Sequence, residues 1–171
     1  GFKKMLEVAK KNPNKVKGAR NTALLRLMCG QAFRRHGVSS LDLEHVDLDD
    51  EKCAWVLLKG SRVDRTRFTL SDEVIDAVKG WLKHRGKKAG PLFPGKGEGG
   101  RLCDNAMWGI VSRIGKQCGL KVWCHALRHS GITTALDEMN GDVRAVQRFS
   151  GHADLKTLLR YDDNRTDMGG D

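Results

Sequence analysis

Apolar residues along this chain recur mostly three or four positions apart, the spacing that gathers them on one face of a helix. The opening stretch is basic and polar and predicts a short helix over 3–10, then a loop through Pro13 and Gly18. From Asn21, Leu24, Leu25, Met28 and Cys29 form a helical stripe, and Val38 and Leu41 mark a second short helix over 35–41. Between 46 and 70 the period changes. The runs V-D-L, C-A-W-V-L-L and R-T-R-F-T-L, separated by D-D-E and K-G-S-R-V-D, read as a small antiparallel sheet of two or three strands. Lys59 and Gly60 fall in the turn between the last two.

Helical spacing then returns. Ser71 stands at an N-cap position with Asp72 and Glu73 behind it, and Val74, Ile75, Val78, Trp81 and Leu82 carry the helix to about 85. Residues 86–101 are rich in glycine around P-L-F-P and predict a surface loop. Asp104 is the candidate cap of a helix whose Met107, Ile110, Val111, Ile114 and Cys118 share a face, with Gly119 beyond its end. A helix from His125 to about Met139 stops at Asn140-Gly141. Asp142 opens another, with Val143, Val146 and Phe149 inward; Gly151 interrupts it, and 154–161 add a last turn or two. The pattern predicts an α+β fold, mainly α, with one small antiparallel sheet near the front and no internal repeat. We read 1–171 as a single domain, with 1–19 as linker and short helix and 162–171 as a polar tail.

Composition narrows the class. Lys and Arg number 31 against 21 Asp and Glu, a formal charge of +10. That excess favours a polyanionic partner, most often nucleic acid, over a merely solvated basic surface. There is no 18-residue apolar run and no secretory pattern, so no membrane partner is expected. The cysteines (29, 53, 103, 118 and 124) are odd in number, lack C-x-x-C spacing and mostly sit in apolar stretches. They read as reduced, buried thiols of a cytoplasmic protein.

The chemistry gathers near the end of the chain. Tyr161 is the single tyrosine, nine positions after His152 in S-G-H-A-D-L-K-T-L-L-R-Y; H-A-L-R-H supplies His125 and Arg128 upstream. A phenol is a poor base at neutral pH but forms a reversible ester as a nucleophile. Among fixed cations it is suited to attack an anionic phosphodiester. Arg128 lies one helical turn beyond His125, so both share a face. A guanidinium offers paired donors to phosphorane oxygens, and a histidine can take or give a proton. His125 and His129 also have metal-ligand spacing, but A-L-R stands between them without the glutamate of H-E-x-x-H, and Arg128 opposes a cation there. We expect no metal, and read His129 as a support for the motif or a core residue. His36, His45 and His84 read as surface; Trp55, Trp81 and Trp108 as core or half-buried; Trp123 as core or site-lining. Arg62, Arg65 and Arg67 are each either phosphate contacts or solvated charge.

At H-A-L-R-H-S, and at S-G-H nine residues before a tyrosine, the chain resembles the tyrosine recombinases, or phage integrase family, over residues 20–161. The resemblance implies the catalytic fold of that family. It places a first catalytic arginine at Arg34 in A-F-R-R-H-G-V-S-S-L, with Arg35 as the neighbour to be told apart from it. It also places a lysine general acid at Lys59 in L-K-G-S-R, 25 residues later. The implied reaction is site-specific cleavage and rejoining of duplex DNA through a 3′-phosphotyrosyl intermediate and a free 5′-hydroxyl, with no cofactor. The implied assembly is a homotetramer on paired sites, open to accessory directionality factors and nucleoid-associated. Since residue 1 is Gly rather than Met, the resemblance leads us to expect an excised catalytic domain, separated from an N-terminal core-binding domain and possible as a monomer by itself. Two departures stand out. The family's glutamate three residues after the first arginine is Gly37 here, and the tail after Tyr161 is short and polar. The rival readings are a type IB topoisomerase-like relaxing enzyme and a non-catalytic DNA-binding integrase relic.

Overall fold

The computed structural model describes residues 1–151, 156 and 158–160. Seven helices and three short strands are formed among them: α1 (Phe2–Lys10), α2 (Lys15–Leu25), α3 (Arg35–Ser39), β1 (Val46–Asp47), β2 (Cys53–Leu57), β3 (Arg65–Thr69), α4 (Asp72–Arg85), α5 (Asp104–Gln117), α6 (Cys124–Glu138) and α7 (Val143–Ser150). The fold is mainly helical with one antiparallel sheet ordered β1-β2-β3, as the periodicities predict. Ala54 faces both Val46 and Phe68 across the ladder. On β3 only Phe68 is buried, so this edge strand turns one apolar side chain inward and a charged face to solvent.

Three local expectations need correcting. First, α2 begins at Lys15, inside the expected loop, because Asn14 Oδ1 accepts from the Lys17 N–H at 2.9 Å and caps it. The helix ends in a widened π turn, Arg26–Gly30, where the Gln31 N–H reaches the Arg26 carbonyl at 3.0 Å. Second, Ser71 holds the N-cap position of α4 but its side chain makes no capping bond. Instead, buried Gln31 ties this corner: its Nε2 donates to the Thr69 carbonyl at 2.8 Å and its Oε1 accepts from the Ser71 N–H at 3.4 Å. Third, Asp104 is the first residue of α5 and not its cap; Cys103 takes that place and is exposed, unlike the other four cysteines.

The main core joins α1, α2, α4 and α5 to the sheet, through residues such as Leu24, Met28, Val56, Phe68, Val78 and Met107. Trp81 secures the 86–101 loop by donating from Nε1 to the Leu92 carbonyl at 2.8 Å and stacking on Phe93 at 6.1 Å. A smaller cluster of Ala32, Ile132, Ala135, Leu136, Val146 and Leu158 lies beneath α6 and α7. The two regions meet where α6 crosses the π turn. A Cβ on Gly131 would collide with the Cys29 carbonyl oxygen, so only glycine permits this approach. Among the described residues, no helix is long and apolar enough to cross a membrane.

Candidate active site

Three elements bring candidate residues to one cleft of about 510 Å³. The start of α3 contributes Arg34, the β2–β3 turn contributes Lys59, and the first turns of α6 contribute His125 and Arg128. The structure therefore brings together four of the six residues proposed for chemistry. His152 and Tyr161 lie outside the described residues.

Arg34 is set by its neighbours. Ala32 has a left-handed φ of +50°, which turns the chain out of the π turn. Phe33 then inserts into the core and meets the Phe68 ring edge-on at 5.2 Å. Arg34 follows in extended conformation at the N-cap of α3 (φ −69°, ψ 148°). It is half-buried, and its side chain makes no hydrogen bond or ion pair with any described residue. Arg35 differs: its Nε pairs with Asp104 Oδ2 at 3.1 Å. Of the two adjacent arginines, the one whose side chain has no partner among the described residues is the one the resemblance selects.

Arg128 is 3% exposed, although it lines the cleft. Its guanidinium donates from one Nη to the Ala32 carbonyl and from the other to the Ser150 carbonyl at 3.0 Å. It thus ties the strand of chain entering Arg34 to the end of α7. Gly151 follows with φ +64°, and a Cβ there would lie 2.8 Å from Phe68 Cζ and 3.2 Å from Leu58 Cδ2. The S-G-H motif accordingly starts against the base of the turn that carries Lys59.

Lys59 itself is exposed, without a hydrogen bond or ion pair among the described residues. Gly60 beside it has φ +91°, and the turn is closed by Ser61 N–H to the Leu58 carbonyl (3.1 Å) and Asp64 N–H to Ser61 Oγ (2.9 Å). Arg62 is exposed on this turn and Val63 projects at 82% exposure. Arg65 is engaged inside the protein: it donates to the Trp55 carbonyl at 3.3 Å and the Ser40 carbonyl at 3.0 Å, and burial lowers its pKa. Arg67 pairs with Glu51 at 3.2 Å.

His125 and His129 are both exposed, so His129 is not a core residue. The metal-type cluster among the described residues is elsewhere, at Asp42, Glu44 and His45. Nor is His45 a simple surface residue. Its Nδ1 accepts from the Asp42 N–H at 3.0 Å, and burial, then the Arg65 charge, lowers its pKa. Trp108, expected as core or half-buried, is 51% exposed and lines the cleft, and Trp123, read as core or site-lining, lines it at 47% exposure. Cys124, next to His125, has its thiol pKa raised by burial, with the Arg35 charge opposing. Sequence reasoning missed Asp104, also on the cleft wall, because a carboxylate at a helix start reads as a cap.

A model of the phage integrase family matches residues 2–168. The chain belongs to this family. A tyrosine recombinase of Synechococcus elongatus is 36% identical over 167 residues, covering 94% of this chain and 52% of the relative. The tyrosine recombinase XerC of Salmonella typhi is 34% identical over 151 residues, covering 83% and 47%. The chain spans about half the length of the curated relatives it matches. Among solved structures, the XerA recombinase superposes with a TM-score of 0.77 at 24% identity, over 94% of this chain and 57% of that one. The XerH site-specific recombinase bound to its difH substrate, in a pre-cleavage complex, gives 0.73 at 26% identity, over 94% and 47%. The mainly helical fold with its small antiparallel sheet is therefore the catalytic fold of this family, as the resemblance implies.

Proposed function

We propose that the protein cuts and rejoins duplex DNA at a specific site, with Tyr161 as nucleophile. The observation that carries this reading is the cleft itself: Arg34, Lys59, His125 and Arg128 line one wall system, and Arg34 and Lys59 have no partner among the described residues. The net charge of +10 supports a polyanionic substrate.

The chemistry runs as a transesterification. The Tyr161 oxygen attacks phosphorus and its proton passes to His125. The bond from phosphorus to the 5′-oxygen breaks, and Lys59 protonates that oxygen. The products are a 3′-phosphotyrosyl ester and a 5′-hydroxyl, and reversal with a different 5′-hydroxyl completes strand exchange. Arg34 and Arg128 stabilise charge on the non-bridging oxygens, each worth about 10²–10³ in rate. His152 adds a further donor to the same phosphate, and no metal or ATP takes part. Leu158, fully buried against the cluster that contains Ala32 and Ile132, fixes the chain three residues before Tyr161. Double-stranded DNA is the partner, and the working assembly is a homotetramer on paired sites in the cytoplasm, at the nucleoid, with directionality factors as further partners. Arg62 is a candidate phosphate contact; Arg65 is weaker in that role, given its internal bonds.

The test is covalent trapping on nicked duplexes tiled across the DNA flanking the gene, in EDTA. Wild type is expected to form an adduct on the duplex carrying its site, and Tyr161→Phe none. An adduct from Tyr161→Phe, or a requirement for added Mg²⁺ or Zn²⁺, would overturn the reading. Recombinant product, as opposed to relaxed supercoils alone, separates a recombinase from a topoisomerase.

A further inference from the structure

Gly37 stands where the resemblance expects a glutamate to support the first arginine, and the fold leaves no room for one. A Cβ there would lie 2.8 Å from Val56 Cγ1 and 3.3 Å from the Leu57 carbonyl, because α3 presses its backbone onto β2. Yet α3 is five residues long and cannot hold its own geometry. Arg34, at its N-cap, has no described partner to fix it either. Some other group must orient this end of the helix.

A carboxylate from α5 is in place to do so. Asp104 Oδ2 lies 3.1 Å from Arg35 Nε, and Oδ1 accepts from Ser39 Oγ at 3.2 Å. One side chain therefore clasps the first and last residues of α3. Arg101 also holds the far end, donating to the Ser39 carbonyl at 3.1 Å and to Asp42 at 2.9 Å. At the Arg34 end, Asp104 is the group that the described contacts provide. The pair also reaches toward α6, since Arg35 and Asp104 both act on the Cys124 thiol beside His125. Asp104 and Arg35 are each 38% exposed in their side chains, and so exposed a pair contributes little to folding. Its effect belongs to the alignment of the cleft.

We infer that Asp104 is a positioning residue for Arg34, supplying from α5 the carboxylate that Gly37 cannot, by fixing Arg35 and Ser39 and with them the start of α3. The inference rests on the reading of Arg34 as a phosphate-binding group. The experiment is single-turnover adduct formation on the nicked duplex chosen above, with affinity for the same duplex and thermal melting measured alongside. Asp104→Ala is expected to slow cleavage at least about tenfold, the cost of a small misplacement of a catalytic group, with affinity and melting little changed. Arg35→Ala, which breaks the same pair from the other side, is expected to match it, and Asp104→Glu to recover most of the rate. The deciding variant is Arg34→Ala combined with Asp104→Ala. It should be no slower than Arg34→Ala alone, because a positioning group has nothing left to position. Additive losses, or an Asp104→Ala rate equal to wild type, overturn the assignment of Asp104. Should Asp104→Ala fold poorly, an Arg35→Ala rate equal to wild type, or an Asp104→Glu rate no faster than that of Arg35→Ala, overturns it in the same way. An unimpaired Arg34→Ala, or no adduct from wild type, points instead to failure of the underlying reading of the site.

Discussion

Arg128 and Lys59 line the same cleft with the same charge, yet the fold holds them in opposite ways. Arg128 is buried, and its guanidinium bonds the carbonyls of Ala32 and Ser150. Around it, Gly131 lets α6 touch the π turn, and Ile132, Leu136, Val146 and Leu158 close the small core. Lys59 stands exposed on a turn whose closing bonds are local, next to Gly60 and a projecting Val63. The contrast matches the two kinds of work proposed. A charge that stabilises a phosphorane is most effective when fixed beforehand, since reorientation then costs nothing during reaction. A proton donor must meet an oxygen that leaves, and a turn with few buried contacts allows that movement.

The comparison breaks first at Arg128. Arg128→Ala is expected to lower cleavage by at least about 10². It should also destabilise the fold, because two buried carbonyls lose donors at about 1–3 kcal/mol each. Urea unfolding beside single-turnover cleavage reads both; an unchanged unfolding midpoint would mean that Arg128 is no strut. Lys59→Ala is expected to slow cleavage by about 10² or more while stability stays within about 0.5 kcal/mol of wild type. On a 5′-bridging phosphorothiolate, whose sulfur leaves without a proton, Lys59→Ala should approach the wild-type rate and Arg128→Ala should not. Equal impairment on both substrates would make Lys59 a phosphate ligand and remove the contrast.

The smallest effect concerns the network behind the turn, where Arg65 and Asp42 surround His45. Burial and Arg65 depress the folded pKa of His45 below its ordinary value of 6.5. The unfolded chain therefore binds more protons near and just below that pH, so stability should decline as pH falls from 7 through 6.5 toward the lower folded value. His45→Asn, which keeps an acceptor for the Asp42 N–H but does not titrate, should flatten that part of a pH series of melting temperatures. An unaltered slope would assign the effect to other groups.

Much of the fold was legible because its helices are amphipathic and bounded by punctuation. Asn140-Gly141 and Gly119 stop helices through positive φ, and Asp142 caps α7 by accepting from the Ala145 N–H at 3.0 Å. The hairpin was legible from its change of period. The order of H-x-x-R and S-G-H pointed to the site, and Arg34 and Lys59 came from resemblance. What stayed hidden depends on partners distant in sequence. The π turn is part of the seat of α6, so the run R-L-M-C-G alone continues an ordinary helix. Arg65 reads as a solvated strand charge until Ser40 is beside it. Trp108 lies on a helix with an apolar face, but adjacent to Met107 and off the stripe, which leaves it in the cleft.

The bond from Arg128 to Ala32 joins positions 96 apart in the chain. During synthesis, residues emerge at roughly 5–20 per second, so the Arg34 segment waits several seconds for the side chain that completes its seat. Until then the Ala32 carbonyl has no donor from α6 and the entry to α3 lacks its tie to α7. A ribosome-bound or prematurely ended chain can carry Arg34 and Lys59 and still have no assembled pocket for a phosphate. For a protein whose proposed reaction severs DNA, this places competence after the emergence of α6 and α7: a nascent chain that stops before Arg128 puts no scissile bond at risk.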